Sequence, residues 1–397
     1  MNHVHQSRRW LAAIAVACLA LTFAACGSND DNASGAAGGD VSKGDGIRAG
    51  TGSRAEVATA AGKKAAQEAG GPVDLGGAKT IGIINFLNGI ESSDRLATTT
   101  KVAAEKLGWK TILCDGKGTP AQFVTCGNSL LDRKVDGIVE IAIEPSQIQS
   151  VLDKAKKGNI PVIQVGGGGV PNGDLNGNYG PDETKAGQVL VDALFKKLDG
   201  VDKPTIIDHD FPAGWAKTRT DALRAALKTQ DSIKLITDTT TDATNLVQFT
   251  RKTVTDQLTQ HPDVKAFWMA FDTVGQVAGQ VVASKYKGKE FPDRPLVATF
   301  HADLGTLDLM RKGDIDMTSE VNYDAGVWIG IDNMAEFFAR QKPMMTENQP
   351  AYPGVGDLFS YEIIDKTNLP PKGQYVAPKV DVPSYFQAKW EAEFKTA

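Results

Sequence analysis

KTIGIINFLNGIESSD, residues 79–94, carries an apolar run, a glycine-bearing loop and a Ser-Ser-Asp opening of the kind that starts a helix. The run 81–86 has Asn85 as its one polar residue, which suits a strand covered on both faces. The same unit then repeats along the chain. Apolar runs predict strands at 81–86, 111–115, 137–141, 161–165, 205–208, 233–237, 266–271, 296–300 and 317–321. Amphipathic stretches between them predict helices at 94–107, 121–134, 145–157, 183–198, 216–228, 245–260, 273–285, 304–311 and 325–340. This alternation is the signature of βαβ units and a parallel sheet. The strands are too many for one doubly wound domain of usual size, so the expectation is an α/β protein of two doubly wound, parallel-sheet, Rossmann-like lobes, with a seam near Tyr179-Gly180-Pro181-Asp182.

The length of 397 residues fits two such domains. A formal net charge of -5 disfavours a nucleic-acid partner, which would need a basic face. Arg8 and Arg9 precede the short apolar stretch 10–25, a pattern that predicts a signal peptide over 1–25 and not a membrane span. Phe23-Ala24-Ala25-Cys26 resembles a bacterial lipobox, with Phe23 where a branched aliphatic is preferred, so Cys26 is the expected lipidation site. Export and a lipid anchor on the extracytoplasmic or periplasmic side of the cell membrane follow. Residues 26–77 read as a flexible tether, with a short helix over 54–68 broken at Gly70-Gly71-Pro72. Of four cysteines, Cys114 and Cys126 lie in the exported part and read as a disulfide; free buried thiols are the alternative.

In parallel sheets ligands bind beyond the carboxyl ends of the strands, so the residues just after each strand are the candidates. After 81–86 stand Asn88, Glu91 and Ser92, as ligand contacts or as caps of the next helix. After 161–165 comes Gly166-Gly167-Gly168-Gly169, either a close-approach loop or a mobile one. Asp208-His209-Asp210 leads to Trp215 and Arg219, a stacking face and a planar fork for a carboxylate or a hydroxyl pair. Asn245, Phe271, Asp272, His301 and Asn322 complete the set. No nucleophile elbow, P-loop or His-Glu-x-x-His occurs, and no metal or cofactor is expected.

Ile81-Gly82-Ile83-Ile84 with Asn88, Lys134-Val135-Asp136-Gly137-Ile138-Val139, Gly158-Asn159-Ile160-Pro161-Val162-Ile163, His261-Pro262-Asp263-Val264-Lys265-Ala266 and Asp272 together resemble the ribose-binding-protein-like branch of the type 1 periplasmic binding proteins. The resemblance implies two lobes joined by a three-crossover hinge near Gly180, Asn322 and Tyr352. Lobe one would be 78–181 plus 323–351, lobe two 182–322 plus 352–366, and 367–397 a C-terminal extension. It implies a monomeric, non-enzymatic solute-binding protein whose partners are a small molecule and the permease of an ABC importer. Alternatives are a sensor docking on a membrane receptor or kinase, and a surface enzyme using Asp208, His209 or His301. Arg219 matches the family's ligand-contacting arginine. Gly166-Gly167, Phe271 and His301 stand where the family places polar grips for sugar hydroxyls. Unpaired polar groups on a buried sugar cost about 1–3 kcal/mol each. The expected ligand is therefore sugar-like or less hydroxylated, with an aromatic or heterocyclic face.

Overall fold

The computed structural model describes residues 52–167 and 173–395. The expected signal peptide, Cys26, the tether as far as Thr51, and Gly168 and Gly169 of the glycine run lie outside the described residues.

One sheet has five parallel strands in the order Lys110–Asp115, Thr80–Asn85, Gly137–Ile141, Val162–Val165, Gly177–Tyr179. The other has six, in the order Tyr361–Asp365, Met317–Val321, Leu296–Phe300, Ala266–Met269, Thr205–Asp210, Lys234–Thr240. Its neighbours are parallel except for Tyr361–Asp365, which runs antiparallel to Met317–Val321. Every residue of Gly137–Ile141, Val162–Val165, Ala266–Met269, Leu296–Phe300 and Met317–Val321 is buried. Helices cover both faces there, which favours mostly apolar runs; Glu140, Gln164, Thr299, Thr318, Ser319 and Glu320 are their buried polar residues. The edge strands Lys110–Asp115 and Lys234–Thr240 are only partly buried.

The chain passes between the lobes at three adjacent places. After Tyr179 it enters helix Glu183–Leu198, capped by the Asp182 carboxylate accepting from the Lys185 amide. That helix lies on the second sheet, where the Ser319 hydroxyl donates to the Ala186 carbonyl at 2.9 Å. After Val321 the chain returns in helix Asp324–Arg340, which packs on the first sheet. A Cβ on Gly326 would sit 2.4 Å from the Tyr179 carbonyl oxygen, so glycine is what lets this helix lie so close. The third passage, after Gln341, reaches Tyr361–Asp365. It is stitched to the others: the Gln349 amide donates to the Gly180 carbonyl at 3.2 Å, and the Asn322 amide to the Leu358 carbonyl at 3.0 Å.

Two terminal pieces are part of the fold. The short helix expected over 54–68 forms as Ser53–Glu68, and it packs on helix Val382–Glu393. The small-residue composition that reads as a linker places Ala58, Ala61 and Ala65 on one buried stripe. The C-terminal extension carries helix Val382–Glu393. Its helix buries Trp390 against Trp328, ring centroids 5.3 Å apart, and Lys389 donates to Asp332 at 2.6 Å. Cys114 and Cys126 are joined in a disulfide tying Lys110–Asp115 to helix Pro120–Asp132. Closing so short a loop stabilises by about 3 kcal/mol on loop-entropy grounds. Among the described residues no helix is long and apolar enough to cross a membrane.

Candidate functional site

The carboxyl ends of both sheets converge on one cavity of about 50 Å³. At roughly 10–15 Å³ for each water molecule, it has room for a few waters. The first lobe contributes Phe86, Ile90, Ser92, Arg95, Ala142 and Gly166. The second contributes Phe211, Trp215, Arg219, Phe271 and His301, and Tyr323 reaches in from the hinge. Three of these residues leave their strands in the left-handed region: Ala142 (φ 56°), Gly166 (φ 70°) and His301 (φ 67°). For alanine and histidine that conformation is strained, and such strain clusters at ligand clamps.

One wall is aromatic. Phe211 stacks on Trp215 at 5.5 Å, and Phe271 meets both rings edge-on at 5.2 and 5.7 Å. Phe86 faces Phe211 from the other lobe at 6.0 Å.

Arg219 was expected to offer its fork to a ligand. Instead the fork is engaged: Nε and Nη2 donate to the two oxygens of Glu183 at 2.6 and 2.9 Å, and Nη1 to the Ala270 carbonyl at 2.8 Å. Nη2 also donates to the Tyr323 hydroxyl at 2.9 Å. Both partners are buried, and a buried guanidinium without its carboxylate is costly, which explains the engagement. The guanidinium meanwhile lies over the Trp215 ring, 4.7 Å from its centroid, and steadies the aromatic wall.

Polar contacts join the lobes across the cleft. Arg95 donates from Nη1 to Asp303 at 2.5 Å, with Nε 3.3 Å from Asp324. Ser92 donates to Asp272 at 3.1 Å. Glu91 accepts the amides of Leu304 and Gly305 at 2.7 and 3.0 Å, so a carboxylate of one lobe caps helix Leu304–Lys312 of the other. Glu144 does the same at helix Gly214–Leu227, accepting the Gly214 amide at 2.6 Å. Burial, with Glu91 beside it, pushes the Asp272 carboxyl up to about 6. Burial also raises Asp303, against the pull of Arg95.

Ser92, Gly166, Trp215, Arg219, Phe271 and His301 thus meet at the cavity. The other candidates stand apart from its wall. Asn88 is exposed and accepts from the Asn85 amide. Asn245 is exposed at the end of the turn Ala243–Asn245 and does not line the cavity. Gly167 does not line the cavity, Glu91 and Asp272 serve the cross-cleft contacts, and Asn322 serves the hinge. Asp208 and His209 lie along strand Thr205–Asp210 and not on the wall; His209 is buried against Gln257 at 2.6 Å. Among the described residues no three His, Cys, Asp or Glu side chains gather as metal ligands.

Arg95, Phe86, Phe211, Tyr323 and Asp303 were not singled out in the sequence. Arg95 had a signal: it falls in line with Thr99 and Ala103 at i, i+4 and i+8 on the buried face of helix Glu91–Lys106. A charge there needs a buried partner.

A family model described as a periplasmic binding protein domain matches residues 81–341. No curated protein matches the chain. Solved structures do. An ABC sugar transporter subunit from Rhodobacter sphaeroides is 19% identical, with TM-score 0.61, covering 73% of this chain and 99% of its own. An ABC transporter solute-binding protein from Burkholderia graminis, in complex with D-arabinose, is 19% identical with TM-score 0.63, at coverages of 75% and 98%. One from Mycobacterium smegmatis with bound glycerol is 20% identical with TM-score 0.62, at 74% and 96%. At these identities the likeness is one of fold.

Proposed function

The chain belongs to the periplasmic binding protein family, and from that premise we propose that it captures a small solute between its lobes and delivers it to the permease of an ABC importer. The observation that carries this reading is a cavity walled by strand ends of both sheets. Parting of the lobes about the three stitched passages would admit the solute, and closure would present one shaped surface to the permease. The lobes of this reading are 78–181 with 323–351, and 182–322 with 352–366. Cys26 carries the lipid that keeps the protein at the outer face of the membrane. It acts as a monomer and performs no chemistry on what it binds.

The ligand is a compact, neutral molecule with a few hydroxyls and one apolar face. The apolar face rests on Phe211, Trp215 and Phe271. Neutrality is supported by Arg219, whose charge is already matched by Glu183, and by Arg95, matched by Asp303. Solved neighbours with D-arabinose and glycerol support hydroxyls as the polar part.

A thermal-shift panel of pentoses, glycerol, inositols, aromatic acids and amines tests the reading, because a solute that binds only the folded state raises its melting temperature. The expected hit is a neutral polyol-like or heterocyclic compound, whose Kd by calorimetry weakens at least tenfold in Phe271→Ala. A panel with no hit, or a hit indifferent to Phe271→Ala and Trp215→Ala, overturns it. For the anchor, Cys26→Ala should release the protein from cell membranes.

A further inference from the structure

The chain makes a fourth connection between its lobes, beyond the span 81–341 of the family model. After strand Tyr361–Asp365 it lies along the second lobe, packing Leu369 and Val376 on that lobe's core. There Arg311 holds the Pro370 carbonyl at 2.6 Å. It next touches the cleft: the Tyr375 hydroxyl donates to Glu91 at 3.2 Å, and the Arg95 guanidinium lies 5.5 Å from the centre of the Tyr375 ring. It then reaches the first lobe, where Arg54 donates to the Pro378 carbonyl at 2.8 Å and helix Val382–Glu393 docks through Trp390 and Lys389. About three quarters of this chain spans these solved neighbours almost end to end.

We propose that residues 366–381 form a strap that holds the lobes closed, with Tyr375 as the residue that positions the clamp. The inference rests on the reading that the lobes part to admit a solute. Tyr375 is not part of the cavity wall, and it acts through two side chains. Glu91 is the carboxylate that caps the opposing helix Leu304–Lys312, and the Tyr375 hydroxyl fixes one of its oxygens. Arg95 is the cation that bridges to Asp303, and the Tyr375 ring covers it. Both contacts lie on one helical turn of the first lobe, while Leu369 and Val376 ride on the second. Opening the cleft must therefore either pull Tyr375 off Glu91 or drag the strap off one lobe. A protein so strapped exchanges solute more slowly and admits fewer bulky solutes than one closed by its cleft residues alone.

The test measures closure with no solute added. Spin labels are introduced through non-canonical amino acids at the exposed positions Glu105 and Lys252, one on each lobe, in the full chain. The unsubstituted strap should give a narrow distribution at short distance. Tyr375→Phe, which keeps the ring and removes the hydrogen bond, should raise the open fraction about fivefold, as loss of one net hydrogen bond does. Tyr375→Ala should raise it further, and neither should lower the melting temperature in proportion, since Tyr375 is only half-buried. Cleavage at a protease site inserted beside Gly373, in an exposed stretch, should reproduce the Tyr375→Ala distribution. Distributions that superimpose on the starting protein in Tyr375→Ala or after cleavage overturn the strap. The solute panel is scored separately: if no compound binds any variant, the solute-binding reading fails while the distances still decide the strap.

Discussion

Arg219 and Arg95 line the same cavity and are both essentially solvent-free, at 1% and 0% exposed. Their partners lie in different places. Arg219 is matched by Glu183 within the second lobe, through two parallel hydrogen bonds. Arg95 projects from the first lobe and finds Asp303 in the second. The first pair forms once its lobe folds and persists whether the cleft is open or shut. The second exists only when the lobes meet. The same side chain at the same depth therefore contributes to folding in one case and to closure in the other, and the location of the carboxylate decides which.

The largest effect should come from Glu183→Gln. It leaves Arg219 buried without its carboxylate, which costs about 3–5 kcal/mol. Urea denaturation should show that loss, and the distance between the lobes should not change. A variant that opens the cleft at unaltered stability would break the distinction between the arginines.

Next in size is a pH effect at Asp272, which receives a hydrogen bond from Ser92 across the cleft. Its folded value is raised, by burial and then by Glu91, from 3.8 to about 6. Between those values the folded protein holds a proton that the unfolded chain has released. Stability should therefore fall as pH rises through this window, by at most about 3 kcal/mol above pH 6. Because Glu91 and Ser92 belong to the opposite lobe, acid should also favour the closed form. Asp272→Asn should flatten both dependences between pH 4 and 7 in thermal unfolding and in distance measurements. A slope that survives the substitution assigns the proton elsewhere.

Asp303→Asn should have a smaller effect, since Arg95 keeps Asp324 at 3.3 Å. Replacing a charged acceptor by a neutral one in the remaining contact costs about 2 kcal/mol. Nearly all of it should appear as a shift toward the open form, with a urea midpoint closer to the unsubstituted protein than that of Glu183→Gln. Equal losses of stability in the two variants would mean that both pairs serve folding.

The two lobes were legible in the sequence because their central strands are buried on both faces, and burial favours runs that are mostly apolar. The run 296–300 coincides with strand Leu296–Phe300, and 81–86 is one residue off Thr80–Asn85, whereas Met317–Val321 is as deeply buried with Thr318, Ser319 and Glu320 in it. Gly177–Tyr179 and Tyr361–Asp365 carry no such run: one is three residues long, and the other is an edge strand with Glu362 and Asp365 in it. The strand-end rule reached Trp215, Phe271 and His301 because a parallel sheet aims its carboxyl ends at one place. It could not reach Arg95, Glu144 or Tyr375. Each is defined by a partner far away in the chain, Asp303, Gly214 and Glu91, and local periodicity holds no record of such pairs. For Arg219 the sequence indicated the position but not its engagement, since Glu183 reads only as the first residue of a helix.

Ala142 offers the finest division between folding and closure. It belongs to the first lobe, lines the cavity, and sits at φ 56°, with its amide donating to the Val165 carbonyl at 2.9 Å. An L-residue in that region pays about 1–2 kcal/mol. Glycine avoids this but gives back roughly 0.4–1 kcal/mol through its freer unfolded chain. Ala142→Gly should therefore stabilise the protein by about 0.5 kcal/mol in denaturant titration. The strain and the hydrogen bond that maintains it both lie inside the first lobe, so the closed fraction should stay where it is. If Ala142→Gly instead moved the distance between the lobes, the turn would be held by contacts from across the cleft, and strain would have to be counted with Arg95 rather than with Arg219.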